Sequence, residues 1–111
     1  SEPAPIWFRP YTLPELNASQ RDCMVELLGI EFVELGPDHV SARMPVDSRT
    51  MQPYGLLHGG ASVVLAETLA SVGAVMVVDA ARRQVVGQEI NANHLRGVRG
   101  GHVTGTARPI H

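Results

Sequence analysis

The stretch "QPYGLLHGGASVVLAETLAS", residues 52–71, decides the fold. It passes from a loop through a Gly-Gly pair into an apolar run whose only charged residue is Glu67. Residues 61–78 contain no proline and one glycine, Gly73, so they predict a long helix. Because apolar residues occupy nearly every side of this helix, it should be covered on most sides. A carboxylate buried there costs free energy unless it is paired, hydrogen-bonded or used in chemistry.

The segments on either side of this helix predict an antiparallel sheet. Thr12 and Glu15 have capping-box spacing, which indicates one or two short helices between about residues 13 and 28. "IEFVELGPDHVSARMPV" predicts two strands joined by a Gly-Pro-Asp turn, and residues 84–98 and 99–111 predict two more. The buried face of the second strand should carry Val40, Ala42, Met44 and Val46. Strands and helices do not alternate, so a doubly wound sheet is excluded and an α+β fold is favoured, with antiparallel strands around one central helix.

The composition limits the functional classes. A chain of 111 residues predicts one domain, residues 1–111, with the proline-rich residues 1–11 as an extended arm. A net charge of −2 argues against a nucleic-acid partner. The single cysteine, Cys23, excludes an intrachain disulfide and fits a reducing, cytoplasmic location, and the N-terminus lacks the pattern of a signal peptide. The apolar helix has no aromatic or basic anchors, which argues for a core helix over a membrane span.

The Gly-Gly pair and the glutamate suggest where chemistry could occur. Gly59 and Gly60 lie where the helix begins, and the free N–H groups there can stabilise an oxygen that acquires negative charge. The alternative is that the glycines only make a tight turn. Glu67 follows Gly59 by eight residues, about 12 Å along a helix, so one helix cannot bring both to one carbonyl. Two antiparallel copies could do so. Ser71 follows Glu67 by one turn on the same face and could hydrogen-bond it or a ligand.

Histidines and metal ligands need separate consideration. His58 can cap or pack at the loop, or it can orient the loop or contact a substrate, and the sequence leaves these alternatives open. No second histidine or carboxylate stands at metal-ligand spacing around it. The "NANH" motif, which ends at His94, is a weak metal pattern, so we expect no metal site.

Two segments carry a resemblance to a known family. "DSRTMQPYGLLHGGASVVLAETLAS" followed by "VVGQEINANHLR" resembles hotdog-fold acyl-CoA thioesterases. The similarity is to the branch with 4-hydroxybenzoyl-CoA, phenylacetate-pathway and 1,4-dihydroxy-2-naphthoyl-CoA thioesterases and the enterobactin-associated proofreading enzymes. It extends over nearly all of the chain from about residue 12. It implies a hotdog fold, a homodimer that pairs into a homotetramer, and hydrolysis of an acyl-CoA, with an aryl or aryl-like acyl group, to free acid and CoA.

The resemblance also implies roles for individual residues. Glu67 matches the family's catalytic carboxylate, which acts as nucleophile or general base, and the Gly59 N–H matches the group that polarises the thioester carbonyl. Gln52 and His58 match residues that position the thioester end, and Ser71 matches a residue that assists the glutamate. His94 and Arg96 match positions near the nucleotide and pantetheine of CoA. No cofactor is implied, because a thioester is already activated toward acyl transfer.

The sequence departs from the family pattern at "ARPIH", and three rival functions have to be weighed against thioester hydrolysis. Family members continue with two more strands after "ARPIH", so we expect the sheet to lack its last two strands and to have an open edge. The first rival is a hotdog hydratase or dehydratase, which would hydrate a crotonyl-CoA analogue. The second is an acyl-CoA-binding module without turnover, although the retained Glu67 argues against it. The third is a structural fragment, which the early end of the chain would explain.

Overall fold

The computed structural model describes residues 4–77, 87–93 and 100–110. Within these residues the elements are α1 (Leu13–Ala18), α2 (Met24–Leu27), β1 (Glu31–Leu35), β2 (Val40–Pro45), α3 (Gly59–Val77), β3 (Gly87–Asn93) and β4 (His102–Ile110). The predicted short helices, the hairpin, the long helix and the two later strands are all confirmed. Of the strand predicted at 84–98, residues 84–86 and 94–98 lie outside the described residues.

The sheet is antiparallel throughout, with the strand order β1-β2-β4-β3. β1 and β2 form the predicted hairpin, in which Leu35 pairs with Val40, and a bulge interrupts β1 between Phe32 and Glu34. β2 then pairs with β4 from Val40–Ala107 to Pro45–His102. α3 packs against β2, β3 and β4, so one face of the sheet covers one side of the long helix. This is the α+β arrangement that the order of elements predicts.

One hydrophobic core lies between the sheet and α3. Its members include the four predicted residues of and after β2, all at most 5% exposed: Val40, Ala42, Met44 and Val46. From α3 it receives Leu65, Leu69 and Met76, each at most 1% exposed. The alternation of β2 therefore marks its buried face correctly, although Ser41 on the opposite face is also buried, where its hydroxyl is hydrogen-bonded to that of Thr106 at 2.8 Å.

Two side chains hold α1 in place, because Thr12 caps its N-terminus and Asn17 joins it to β1. The hydroxyl of Thr12 accepts the N–H of Glu15 at 3.3 Å, which confirms Thr12 as the N-cap. The Asn17 side chain then joins α1 to β1, because its amide donates to the carbonyl of Phe32 at 3.1 Å and accepts the Phe32 N–H at 2.7 Å.

α2 ends in a Schellman motif that requires glycine. The Ile30 N–H donates to the Val25 carbonyl at 3.1 Å, and the Gly29 N–H donates to the Glu26 carbonyl at 2.9 Å. Gly29 has a φ of 75°, and a Cβ there would lie 2.8 Å from the Pro45 ring. A side chain at this position would therefore be strained and would also push α2 away from the end of β2.

The N-terminal arm, residues 4–11, contains no helix or strand, as expected, but it is fixed at three points. The Ile6 N–H donates to Pro37, the buried Trp7 indole donates to the Gly36 carbonyl, and the Phe8 N–H donates to the Met76 carbonyl, each at 2.8 Å. The arm therefore runs from the β1–β2 turn to the last turns of α3.

The β1–β2 turn on which the arm docks carries a histidine between two carboxylates. His39 Nδ1 lies 3.1 Å from Asp38, and its Nε2 is hydrogen-bonded to Glu34. The hydrogen bond to Asp38, together with that to Glu34, raises the pKa of His39 above its ordinary value. The imidazole packs so closely on Gly36 that a Cβ there would lie 2.2 Å from the ring.

α3 differs from expectation in its exposure. In the described residues one side of the helix is uncovered, with every fourth residue exposed: Gly59, Val63, Glu67, Ser71 and Val75. We call these five residues the exposed stripe. The helix is therefore covered on most sides, as expected, but the carboxylate of Glu67 is exposed in one chain instead of buried. The helix is long and apolar enough to cross a membrane, with a mean hydropathy of 1.7, but its packing on three strands is that of a core helix.

Candidate active site

A cavity of about 790 Å3 lies between α3 and the N-terminal segments. One wall is a side of α3 that runs from Val64 to Met76, and the opposite wall comes from the arm, α1 and α2. Glu67 and Ser71 lie on the α3 wall among valines, and Met24 of α2 contributes to the other wall. The sequence argument placed Glu67 and Ser71 on one face, and the structure brings both to this cavity.

The Glu67 carboxylate can act on a ligand that enters the cavity. Glu67 is the only charged residue of α3. No hydrogen bond or ion pair from another described residue engages its oxygens, and the residue is exposed in one chain. Ser71 follows one helical turn later, so its hydroxyl lies on the same side as the carboxylate. A carboxylate in this position can attack a carbonyl carbon or take a proton from water.

The loop from 47 to 58 is anchored by Thr50, which is 1% exposed. The Thr50 hydroxyl donates to the Pro45 carbonyl at 2.7 Å and accepts the Asp47 N–H at 3.1 Å, and the Thr50 carbonyl accepts the His58 N–H at 2.8 Å. Sequence reasoning missed this residue, although the Asp-x-x-Thr spacing is a local signal for such a turn.

Asp47 and Arg49 fix the start of the same loop. The Asp47 carboxylate accepts the Arg49 N–H at 2.9 Å and pairs with the Arg49 guanidinium at 2.7 Å. The hydrogen bonds from Arg49 lower the pKa of Asp47 below its ordinary value. The loop therefore reaches α3 with both ends held.

His58 caps α3. Its Nδ1 accepts the Gly60 N–H at 2.8 Å, and its carbonyl accepts the N–H groups of Ala61 at 3.1 Å and Ser62 at 3.3 Å. An Nδ1 that accepts carries no proton, so this geometry assigns the neutral ring's proton to Nε2. Of the alternatives that the sequence left open, the geometry supports capping.

The cap distinguishes the two glycines. The Gly60 N–H is engaged by His58, whereas the Gly59 N–H donates to no group among the described residues. A Cβ at Gly59 would meet nothing within 4 Å, so space for a ligand or a second chain is open there. Gly59 therefore presents the free donor that an oxyanion needs, and it does so at the positive end of α3.

Gln52 is held in the loop by three hydrogen bonds. Its N–H donates to the Leu56 carbonyl at 2.8 Å, its carbonyl accepts the Gly55 N–H at 3.0 Å, and its side-chain oxygen accepts the Tyr54 N–H. These bonds orient the side-chain amide and engage its oxygen. Its NH2 group has no acceptor among the described residues and can donate to a ligand.

The structure does not bring all predicted site residues together in one chain. Gly59 and Glu67 lie about 12 Å apart along α3, as the helix rise requires. His94 and Arg96 lie outside the described residues, so their roles stay predictions. Among residues 4–77, 87–93 and 100–110, no group of three or more histidines, cysteines or carboxylates could hold a metal ion.

Comparison with known proteins assigns the family. Residues 54–111 match the model of the Thioesterase superfamily. The chain belongs to this superfamily. It is 53% identical over 106 residues to the 1,4-dihydroxy-2-naphthoyl-CoA hydrolase of Escherichia coli, covering 96% of this chain and 77% of that protein. It is 51% identical over 106 residues to the proofreading thioesterase EntH of Cronobacter turicensis, with the same coverage of 96% and 77%.

The solved structures agree with the sequence relatives. The crystal structure of thioesterase HI1161 from Haemophilus influenzae superposes with a TM-score of 0.81 at 47% identity, covering 96% of this chain and 73% of that one. The predicted hotdog fold and the predicted class, a thioester hydrolase, are therefore confirmed.

Proposed function

We propose that this superfamily member hydrolyses an acyl-CoA thioester in the cavity beside α3, with Glu67 as nucleophile or general base. The observation that carries the proposal is the placement of Glu67. It is the single charged residue of an apolar helix, it lines the cavity, and no other described residue occupies its oxygens.

The proposed reaction adds water across the C–S bond of the thioester. In one version the Glu67 carboxylate attacks the carbonyl carbon, and water then cleaves the resulting anhydride. In the other, Glu67 takes a proton from the attacking water. In both, the carbonyl oxygen gains negative charge that the Gly59 N–H stabilises, and the sulfur leaves as the CoA thiolate. Gln52 is placed to donate a hydrogen bond near the thioester. The residues themselves supply every step, so we propose no cofactor.

The site, as proposed, is completed by a second copy of the chain. The Gly59 N–H and Glu67 are too far apart on one helix, and both lie on the exposed stripe. Val63 and Val75, on the same stripe, are each 63% exposed, and apolar side chains in such a row are normally covered. An antiparallel partner helix across a two-fold axis covers the stripe and places Gly59 of one chain opposite Glu67 of the other. We also propose that two such dimers associate into a tetramer.

An aryl or aryl-like acyl group is the substrate class that we propose. Its support is the mostly apolar lining of the cavity and the naphthoyl substrate in the name of the Escherichia coli relative. The direct test is a hydrolysis screen over aryl- and alkyl-CoA thioesters with detection of the free thiol. Glu67→Gln should lose about 100-fold or more in kcat and stay folded. The matched control is Glu31→Gln, an exposed glutamate of β1, which should keep full activity. A Glu67→Gln variant within a few-fold of wild type would refute the assignment.

The shared site is tested by complementation. Gly59→Pro removes the N–H at the first residue of α3, where helices accept proline, and should be inactive like Glu67→Gln. Heterodimers of the two variants, formed by co-refolding, contain one site with both intact groups and should regain activity at that site. Absence of recovery, with heterodimers demonstrated by mass spectrometry, would show that each site lies within one chain.

A further inference from the structure

The cavity extends unequally on the two sides of Glu67. Its α3 wall reaches only three residues before Glu67, to Val64, but nine residues beyond it, to Met76. At the rise of a helix these are about 4 Å and about 13 Å. If a thioester carbonyl lies at Glu67, as proposed above, the acyl group has room toward Met76 and almost none in the other direction.

The arm bounds the cavity at its Met76 end. The backbone hydrogen bond from Phe8 to Met76 fixes the arm there, and the next residue, Arg9, lines the cavity together with Tyr11 and Glu15. The Arg9 guanidinium lies 3.9 Å from the centre of the Tyr11 ring, is paired with the Glu15 carboxylate, and donates to the Pro10 carbonyl at 2.8 Å. We call Arg9, Tyr11 and Glu15 the polar end of the cavity.

Hydrogen bonds orient the Arg9 side chain but leave some of its N–H donors without an acceptor among the described residues. A guanidinium has five N–H donors, and among the described residues only the Glu15 carboxylate and the Pro10 carbonyl accept from Arg9. The Glu15 hydrogen bond raises the pKa of Arg9, so the group stays charged and acts only as a donor. Arg9 lines this mostly apolar cavity and follows Phe8, whose N–H bonds to Met76, about 13 Å along α3 from Glu67, and an acyl group of sufficient length would end there.

We infer that Arg9 is a specificity-determining residue, which selects acyl groups that carry a hydroxyl or carbonyl oxygen at the end remote from the thioester. This inference rests on the proposed function. An acyl group with such an oxygen accepts a hydrogen bond from Arg9. An entirely apolar group of the same length displaces water from Arg9 and offers no hydrogen-bond acceptor in its place. Sites that hydrogen-bond a substrate oxygen discriminate against the analogue without it. Because Arg9 is 49% exposed in one chain, we expect about 10-fold discrimination, well below that of a fully buried donor.

The test compares 6-hydroxy-2-naphthoyl-CoA with 2-naphthoyl-CoA, which differ in one remote hydroxyl, and includes acetyl-CoA as a substrate too short to reach the arm. Wild type should have the higher kcat/KM for the hydroxylated substrate. Arg9→Met keeps the aliphatic stem and removes the donors, and should reduce the kcat/KM ratio of the two naphthoyl substrates about 10-fold with no change for acetyl-CoA. The control is Arg43→Met, an exposed arginine paired with Glu31 outside the cavity lining, which should leave the ratio unchanged.

The outcomes separate this inference from the proposed function. If wild type turns over the naphthoyl substrates but Arg9→Met keeps its ratio, the inference is wrong and the proposed function stands. A uniform loss with all three substrates would also overturn it, because Arg9 would then only support the fold. If wild type hydrolyses none of them, the proposed function fails. Calorimetric binding of the two free naphthoic acids then still measures the selectivity of Arg9, and equal affinities in wild type and Arg9→Met would refute it.

Discussion

Replacing His58 by alanine tests whether its imidazole caps α3 or acts on the substrate. The change removes the Nδ1 atom that accepts the Gly60 N–H at 2.8 Å. Loss of an N-cap costs about 0.5–2 kcal/mol of stability. Because His58, Gly59 and Gly60 are all exposed, water can replace the lost acceptor, and we expect about 0.5–1 kcal/mol, a fall of roughly 3 °C in Tm. Gly59 adjoins the cap, so its N–H should lose its orientation. Removal of an oxyanion donor costs about 100-fold or more, so partial misorientation should lower kcat about 10-fold.

The matched variant is His58→Asn. Asparagine is among the best N-cap residues and can accept the same N–H, but it has no imidazole. If His58 acts as a cap, Asn should restore most of the Tm and kcat that Ala loses, as measured by thermal unfolding and by thiol release at saturating substrate. If Asn is as stable as wild type but as slow as Ala, the imidazole itself contacts the substrate, and the capping argument is refuted.

Two further predictions concern the oxyanion donor and the β1–β2 turn. Gly59→Pro should lower kcat by about 100-fold or more, whereas Gly60→Ala, whose Cβ would lie 2.9 Å from the His58 ring, should act mainly through the cap and lower Tm. Equal kcat for Gly59→Pro and wild type would exclude Gly59 as the donor. The raised pKa of His39 means that its contribution to stability is complete below the ordinary histidine pKa of about 6.5 and is lost as pH rises through the folded-state value. Urea unfolding at pH 5.5 and 8.5 should therefore show His39→Gln destabilised mainly at pH 5.5, and a difference from wild type independent of pH would contradict this.

Much of the fold follows from local patterns. The Thr12 cap, the alternation along β2, and the long run without proline each predict an element that the structure contains, because each depends on residues adjacent in sequence. The exposure of α3 could not be predicted in the same way. Apolar residues surround that helix, and only the positions of β2, β3 and β4 decide which sides are covered.

The candidate site, like the fold, could be predicted from sequence only where its residues are close together along the chain. Glu67, Ser71 and Gly59 can be selected from sequence because helix spacing alone relates them. The contribution of the arm could not, because Arg9 and Tyr11 are brought to the cavity by a hydrogen bond between Phe8 and Met76, residues 68 positions apart. Sequence spacing carries no signal for such a contact. Thr50 is an intermediate case, since the spacing of its turn is local but its burial cannot be read from that spacing.

The charges of the described residues support a chemical role for Glu67 more strongly than its position alone. Five carboxylates of the described residues, on the arm side of α1, on β1, at the β1–β2 turn and in the loop before α3, lie in ion pairs: Glu15, Glu31, Glu34, Asp38 and Asp47. Each of these pairs orients a segment of backbone or links two strands. Glu67 has no such partner among the described residues, nor have Asp22 and Glu26, but of these three only Glu67 lines the cavity. An arginine beside Glu67 would occupy the oxygen atoms that the proposed attack or proton transfer needs. Among the described residues the Glu67 oxygens therefore stay available to a ligand that enters the cavity, which supports the proposed role of Glu67 in thioester hydrolysis.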